Sequence, residues 1–307
     1  MKAMLLTQHG GPEMLRYGEA PDPVAGPGEI VVDVYAASVN GADQKVRRGG
    51  GMYQRHRFPY ILGRDFSGVV SQVGPGVTDI KVGDAVFGVL DQGIEGTYAE
   101  KLVTKAALVA KKPDALSHAE AAALGLISIT AITGLEDAAK LKAGETILIQ
   151  GGAGGVAGFA VQLAKHLGAR VIATASSGNL AYVKSLGADE VIDYNKEDFT
   201  RIGPVCDVVY DTVGGVDVRA RSYEVLKPGG KLIWIAPAPE APHRVDVATL
   251  KPDVKRDRAH LERMLELVAA GAVKPPAITR YKLTDTAEAH RVSEGRHLKG
   301  KLVLEVR

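Results

Sequence analysis

Hydrophobic and polar positions along the chain fall into two regimes. Up to about residue 110 they form short β-like runs, such as Glu29-Ile30-Val31-Val32-Asp33-Val34-Tyr35-Ala36 and Gly68-Val69-Val70-Ser71-Gln72-Val73. Turn signals separate these runs at Pro27-Gly28, Gly74-Pro75-Gly76 and Val82-Gly83-Asp84. Short strands at that spacing predict a compact β-barrel-like domain. Ser117-His118-Ala119-Glu120 then reads as a capping box that opens an alanine-rich helix, because a hydroxyl and a carboxylate three residues apart can each accept from the other's backbone N–H. Beyond it, apolar strand-like runs alternate with helical stretches down to Lys231-Leu232-Ile233-Trp234-Ile235. Strands and helices joined by such short links predict right-handed crossovers and a parallel sheet. A helix around Leu261 to Ala270 ends at Gly271, and after Pro275-Pro276 the chain returns to strand character, ending in Lys301-Leu302-Val303-Leu304-Glu305-Val306.

The sharpest local signal is the turn Gly151-Gly152-Ala153-Gly154-Gly155-Val156-Ala157-Gly158, between the apolar run Thr146–Gln150 and the helical stretch Phe159–Lys165. A strand, a tight glycine turn and a helix place a pyrophosphate on the helix N-terminus, where backbone N–H groups point outward. The following pattern supports that reading. Gly168 caps the helix, Arg170–Thr174 reads as a second buried strand, a helix from Asn179 to Leu186 stops at Gly187, and Glu190–Tyr194 reads as a third strand. An NAD-preferring site carries an acid about 20 residues past the glycines. Here the second strand ends in Thr174-Ala175-Ser176-Ser177-Gly178-Asn179, with no carboxylate. Small hydroxyl residues leave room for a 2′-phosphate and offer it hydrogen bonds, so NADPH is the expected cofactor.

Composition narrows the class further. A formal net charge of +2, with acids and bases mixed, gives no basic footprint for nucleic acid and no polybasic membrane patch. No stretch is read as the roughly 20 apolar residues that span a bilayer, and the N-terminus is too short an apolar run for a signal peptide. Cys206 is the only cysteine, which excludes an intrachain disulfide and fits a reducing compartment. A cytoplasmic enzyme is expected, with no nucleic-acid or membrane partner.

Six strings, in this order, resemble the medium-chain dehydrogenase/reductase superfamily, and more narrowly its zinc-free quinone oxidoreductase (zeta-crystallin-like) branch. They are Ala37-Ser38-Val39-Asn40-Gly41-Ala42-Asp43, Leu62-Gly63-Arg64-Asp65-Phe66-Ser67-Gly68, Gly151 to Leu163, Asp211-Thr212-Val213-Gly214-Gly215, Leu226-Lys227-Pro228-Gly229-Gly230 and Gly300-Lys301-Leu302-Val303-Leu304. The resemblance implies an α/β architecture: a GroES-like β-barrel catalytic domain over 1–117, a Rossmann-type doubly wound parallel-sheet cofactor domain over 118–270, and a return to the catalytic domain over 271–307. It implies an active site in the cleft between the two domains. It also implies a homodimer.

Zinc enzymes of this superfamily use a Cys ahead of the first-domain Asp and a His-Glu pair after a Gly. This chain has Asn40 before Asp43, and Arg64-Asp65 after Gly63. A catalytic zinc needs about three Cys, His or carboxylate ligands, and a cationic Arg in a ligand's place opposes it; no metal is expected. Without a Lewis acid an alkoxide lacks stabilisation. Quinones and α,β-unsaturated carbonyls are better matched, because hydride addition to a conjugated carbon spreads the charge onto an enolate or hydroquinone oxygen that hydrogen-bond donors can stabilise.

The resemblance places Asn40 and Tyr53 near the reacting carbonyl, with Asn40 also near the nicotinamide, and Thr130 beside the carboxamide. It assigns the pyrophosphate to the backbone N–H groups of Gly154, Gly155 and Val156. Ser176, with Ser177 beside it, Tyr194 and Arg296 would border the 2′-phosphate, and Ile235 and Ala236 the rim of the nicotinamide pocket. Many relatives have Gly where this chain has Ala157, and the loop from Arg47 to Arg57 leaves the substrate pocket open. Tyr223-Glu224-Val225-Leu226-Lys227 spells a Tyr-x-x-x-Lys pair, but Pro228-Gly229-Gly230 ends that helix at once, so Tyr223 is read as packing. Two alternatives stand beside the quinone reductase: a reductase of the double bond of an enone or acyl thioester, and a non-catalytic, crystallin-like NADPH-binding protein.

Overall fold

The computed structural model of the chain describes residues 1–49, 57–91, 93–237, 243–295 and 298–307. The chain packs as two compact units, one of residues 1–126, 256–263 and 275–307, the other of 127–255 and 264–274.

The first unit is mostly β-sheet. Its strands are β1 (Lys2–Leu6), β2 (Leu15–Glu19), β3 (Glu29–Val39), β4 (Tyr60–Ile61), β5 (Asp65–Val73), β6 (Ala85–Val89), β7 (Lys101–Lys105) and β8 (Val109–Lys111), with helix α1 (Gly41–Arg48) after β3. Helix α2 (His118–Ile132) follows β8. The C-terminal segment adds β15 (Ile278–Lys282), α7 (Thr286–Glu294) and β16 (Lys301–Glu305). β3 is the hub: its later residues pair with β16 and its earlier ones with β7, while β5 runs along its other side. The alternating apolar residues Ile30, Val32 and Val34 of β3 pack with Phe66, Val70, Val86 and Leu102 in one core. A second core joins Met4, Leu6, Val39, Val46 and Leu62 to Leu302 and Leu304 of β16, so the last strand completes the fold of the first hundred residues.

The second unit holds β9 (Thr146–Gln150), α3 (Gly155–His166), β10 (Arg170–Ala175), α4 (Leu180–Ser185), β11 (Glu190–Asp193), β12 (Cys206–Asp211), α5 (Val216–Ser222), β13 (Leu226–Trp234) and β14 (Ala248–Leu250). Helix α6 (Arg258–Ala269) falls partly in each unit's residue range. Its six strands form a parallel sheet in the order β11-β10-β9-β12-β13-β14. The order reverses direction between β9 and β12, and open α/β sheets bind ligands at the C-terminal strand ends beside such a switch point.

By packing, the units meet within α2, at 126/127. The first half of that helix is tied to the first unit by Leu126 N–H on Asp65 (3.3 Å) and by His118 on the Ser67 hydroxyl (2.8 Å). The capping box itself forms, with Ser117 Oγ accepting from Glu120 N–H at 3.2 Å and the Glu120 carboxylate accepting from Ser117 N–H at 2.8 Å. One expectation changes, that no stretch has the length and apolar character to cross a membrane. α2 continues into a π-helical segment, Thr133–Ala139, so His118–Ala139 is a 22-residue helix long and apolar enough to cross a membrane. Of its most apolar window 83% is buried in the protein, as in the core helix of a folded domain.

Candidate cofactor and active site

In the second unit, β9 delivers Gln150 to the glycine turn at the switch point. Gly151 has φ of +76°, which an L side chain rarely adopts, and a Cβ on Gly152 would lie 2.9 Å from Val183. The turn is held by Thr174, at the end of β10. Its hydroxyl accepts from Gly151 N–H (3.0 Å) and donates to the Gln150 side chain (2.8 Å), and its carbonyl accepts from Gly152 N–H (2.8 Å). Thr212 closes the other side by donating to the Gln150 carbonyl at 2.7 Å. Gly154 is then the N-cap of α3, with no side chain capping it, and Gly155 and Val156 are the first helical residues. An uncapped helix start leaves backbone N–H groups directed outward with the positive end of the helix dipole behind them, which fits a pyrophosphate. Ala157, 1% exposed, fills its tight position without disturbing the turn.

The two loops beside this turn carry the other expected residues. Ser176 and Ser177 follow β10, and Tyr194 follows β11, its N–H donating to the Ala175 carbonyl at 3.2 Å, so the three are neighbours. Tyr194 is 42% exposed. Ser177 donates to the Asp193 carboxylate at 2.5 Å, which commits its only proton. Ser176 Oγ accepts from the Asn179 side chain at 3.2 Å and keeps its proton to offer. Ile235 and Ala236 follow β13. Ile235 N–H donates to the Asp211 carbonyl (3.1 Å), and the Arg219 guanidinium donates to the Ala236 carbonyl (2.8 Å) while lying 4.0 Å over the Trp234 ring. Asp211 accepts from Val213 and Gly214 N–H, and burial pushes its carboxyl above the usual range. Thr130, in α2, is buried, and its carbonyl accepts from the Tyr210 hydroxyl at 3.1 Å just where the helix widens to the π register. Tyr223, 3% exposed, follows the short α5 and meets the Thr249 hydroxyl at 2.7 Å, while Lys227 pairs with Asp207, so the two form no reactive couple.

In the first unit, Asn40 ends β3 and is the N-cap of α1. Its Nδ2 donates to Asp65 (3.0 Å) and to the Ser38 carbonyl (3.2 Å), and its Oδ1 accepts from the Lys301 ammonium (2.7 Å). Asp43, fully buried, accepts from Asn40 N–H (2.8 Å) and the Tyr98 hydroxyl (2.7 Å) and faces Arg64 (3.7 Å). Burial raises its carboxyl to about 6, against the pull of Arg64. Arg64 also pairs with the buried Glu95 at 3.0 Å. The place of a metal ligand in zinc relatives is therefore taken by a guanidinium held between two carboxylates. Among the described residues no three His, Cys, Asp or Glu side chains gather into a metal-holding group. Tyr53 and Arg296 lie outside the described residues. Sequence reasoning missed Thr174, Asp193, Arg219 and Lys301. Lys301 lies in the string Gly300-Lys301-Leu302-Val303-Leu304, but nothing local marks a strand lysine as buried.

Two family models match the chain: an alcohol dehydrogenase GroES-like domain over residues 26–114, and a zinc-binding dehydrogenase over 186–304. The NADPH-dependent alkenal/one oxidoreductase of Arabidopsis thaliana chloroplasts is 34% identical, over 99% of this chain and 79% of that protein. A chloroplast envelope quinone oxidoreductase homolog of the same plant is 33% identical, over 96% and 95%. Among solved structures, the Escherichia coli quinone oxidoreductase complexed with NADPH superposes with a TM-score of 0.89 at 30% identity, covering 100% of both chains. The Coxiella burnetii quinone oxidoreductase gives a TM-score of 0.89 at 33% identity, covering 100% of this chain and 99% of the other. The chain belongs to the medium-chain dehydrogenase/reductase superfamily, in its zinc-free quinone oxidoreductase branch.

Proposed function

We propose that this protein is an NADPH-dependent oxidoreductase that delivers hydride to a quinone or an α,β-unsaturated carbonyl without a metal. The observation that carries the reading is the uncapped α3 N-terminus at the switch point of a parallel sheet, beside a β10 loop of small hydroxyl residues. Bound there, NADPH supplies the hydride. Gly155 and Val156 hold its pyrophosphate through N–H groups, while Gly154, expected to join them, gives its N–H to the Gly151 carbonyl at 3.0 Å. Ser176 donates to the 2′-phosphate, with Tyr194 beside it. Ile235 and Ala236, fixed by Asp211 and Arg219, border the nicotinamide, with Thr130 at the carboxamide.

The acceptor class follows from the residues of the first unit. Arg64, tied to Asp43 and Glu95, offers no lone pair to a cation, so the charge that develops on the substrate is delocalised through conjugation and met by fixed dipoles. Asn40, its two amide protons held by Asp65 and the Ser38 carbonyl, lines that end of the substrate as a fixed wall. Relatives named for alkenal, furanone and quinone reduction bracket the acceptor chemistry.

Cytoplasmic residence and a homodimer complete the proposal. The one cysteine is buried, in keeping with a reducing compartment, and among the described residues β14 is the last strand of its sheet, an edge suited to a second copy. The test is oxidation of NADPH by purified protein with quinones and enones, with product analysis for hydroquinone against saturated ketone. A saturated product alone favours the double-bond reductase; NADPH binding without turnover favours the crystallin-like reading.

A further inference from the structure

Lys301 opens β16, whose next three residues, Leu302, Val303 and Leu304, are core. The lysine is itself only 5% exposed, and its ammonium ends at the corner where β3 gives way to α1. There Nζ donates to the Val39 carbonyl at 2.8 Å and to Asn40 Oδ1 at 2.7 Å. On the far side of the same amide, Nδ2 donates to Asp65 and to the Ser38 carbonyl, and Asp65 is further held by the Ser38 hydroxyl (2.8 Å) and Leu126 N–H.

An ammonium has only protons to offer, and a carboxylate only lone pairs. With one at each end, the Asn40 amide has a single acceptable orientation, oxygen to Lys301 and nitrogen to Asp65. Stability is a poor explanation for this arrangement. A buried charge carries a large desolvation cost, and an apolar chain of the same length is often neutral or better in such a place. What the lysine adds is a fixed orientation at a corner whose partners are far apart in sequence.

We propose that Lys301 is a positioning residue for the reduction, locking the Asn40 amide, and with it the β3–α1 corner, in one arrangement as a fixed wall beside the reacting end of the substrate. The proposal rests on the Asn40 corner lining that end of the substrate. Lys301 acts through Asn40 and does not itself meet the substrate.

The test compares wild type with Lys301→Met, Lys301→Gln, Lys301→Arg, Asn40→Ala and the Lys301→Met/Asn40→Ala double variant. Turnover with a quinone or enone is expressed per NADPH-binding site, counted by fluorescence titration, so that loss of folded protein does not pass for loss of rate. Lys301→Met is expected to lower kcat roughly tenfold to hundredfold, the range for a displaced reacting geometry, with the Kd for NADPH within about twofold. Lys301→Arg recovers part of the loss. The double variant is no slower than the slower single one, because both remove the same oriented amide. Lys301→Gln, neutral and polar, gives an intermediate rate and keeps the test open if the methionine variant does not fold. Wild-type kcat in Lys301→Met or Lys301→Gln, or additive losses in the double variant, overturns the proposal while the reductase reading stands. A wild type that reduces none of the quinones and enones offered with NADPH removes that reading, and the proposal with it.

Discussion

Ser177 donates its hydroxyl proton to Asp193 at 2.5 Å, joining the loop after β10 to the end of β11. Asp193 is 2% exposed and also accepts from Asn195 N–H at 3.1 Å, so it holds both loops in place. Two adjacent serines of equal appearance in sequence are thereby given different work.

Ser176, not Ser177, is the hydroxyl with a proton to spare for a 2′-phosphate. Ser176→Ala is expected to weaken NADPH about tenfold or more, the value of one hydrogen bond to a charged group, and to leave NADH unchanged. Ser177→Ala should weaken NADPH by no more than about threefold, since it removes an internal bond to Asp193 and none to the cofactor. Titrating both cofactors against both variants checks this. Equal losses for the two serines would count against the assignment.

Tyr210 is fully buried, and its hydroxyl serves the Thr130 carbonyl at the α-to-π transition of the long helix. Tyr210→Phe leaves that carbonyl without its donor, so a loss of about 1–2 kcal/mol is expected, or a few degrees in Tm for a domain of this size. Urea unfolding followed by fluorescence measures it. An unchanged midpoint would show that the bond contributes nothing to holding Thr130.

Much of the second unit was legible in the sequence because its logic is local. The glycine turn, the Gly168 cap and the alternation of apolar runs lie within a few residues of one another, and each has one physical meaning. The capping box at Ser117 was readable for the same reason. What escaped were relationships across the chain. Lys301 meets Asn40 only because β16 pairs with β3, and Asp193 meets Ser177 only because β11 lies beside β10. The extension of α2 into a π segment escaped too, since Gly134 fits there against the Tyr210 ring, a partner far away in sequence.

Two buried groups of the first unit oppose one another in acid. Asp43, raised from 3.8 to about 6 by burial, binds more protons folded than unfolded in that window, so its contribution to stability falls as pH rises from about 4 to 6. His290, lowered from 6.5 to about 3 by burial and by Arg47, binds fewer protons folded, so its contribution rises with pH over the same range. The two largely cancel in the wild type. Asp43→Asn should give a Tm that climbs from pH 4 to 6, and His290→Gln, which keeps an acceptor for Arg47, a Tm that falls. Thermal melts at three pH values across that range decide it, and parallel curves for the two variants would refute the assignment.

The central claim, metal-independent hydride transfer from NADPH to a conjugated acceptor, is tested most directly by following the reduced nicotinamide absorbance of purified protein. NADPH and NADH would each be offered with a quinone and a short enone, before and after exhaustive chelation. The account predicts rapid oxidation of NADPH, much slower oxidation of NADH, and rates untouched by the chelator. Rates abolished by chelation and restored by zinc, or a preference for NADH, would contradict it.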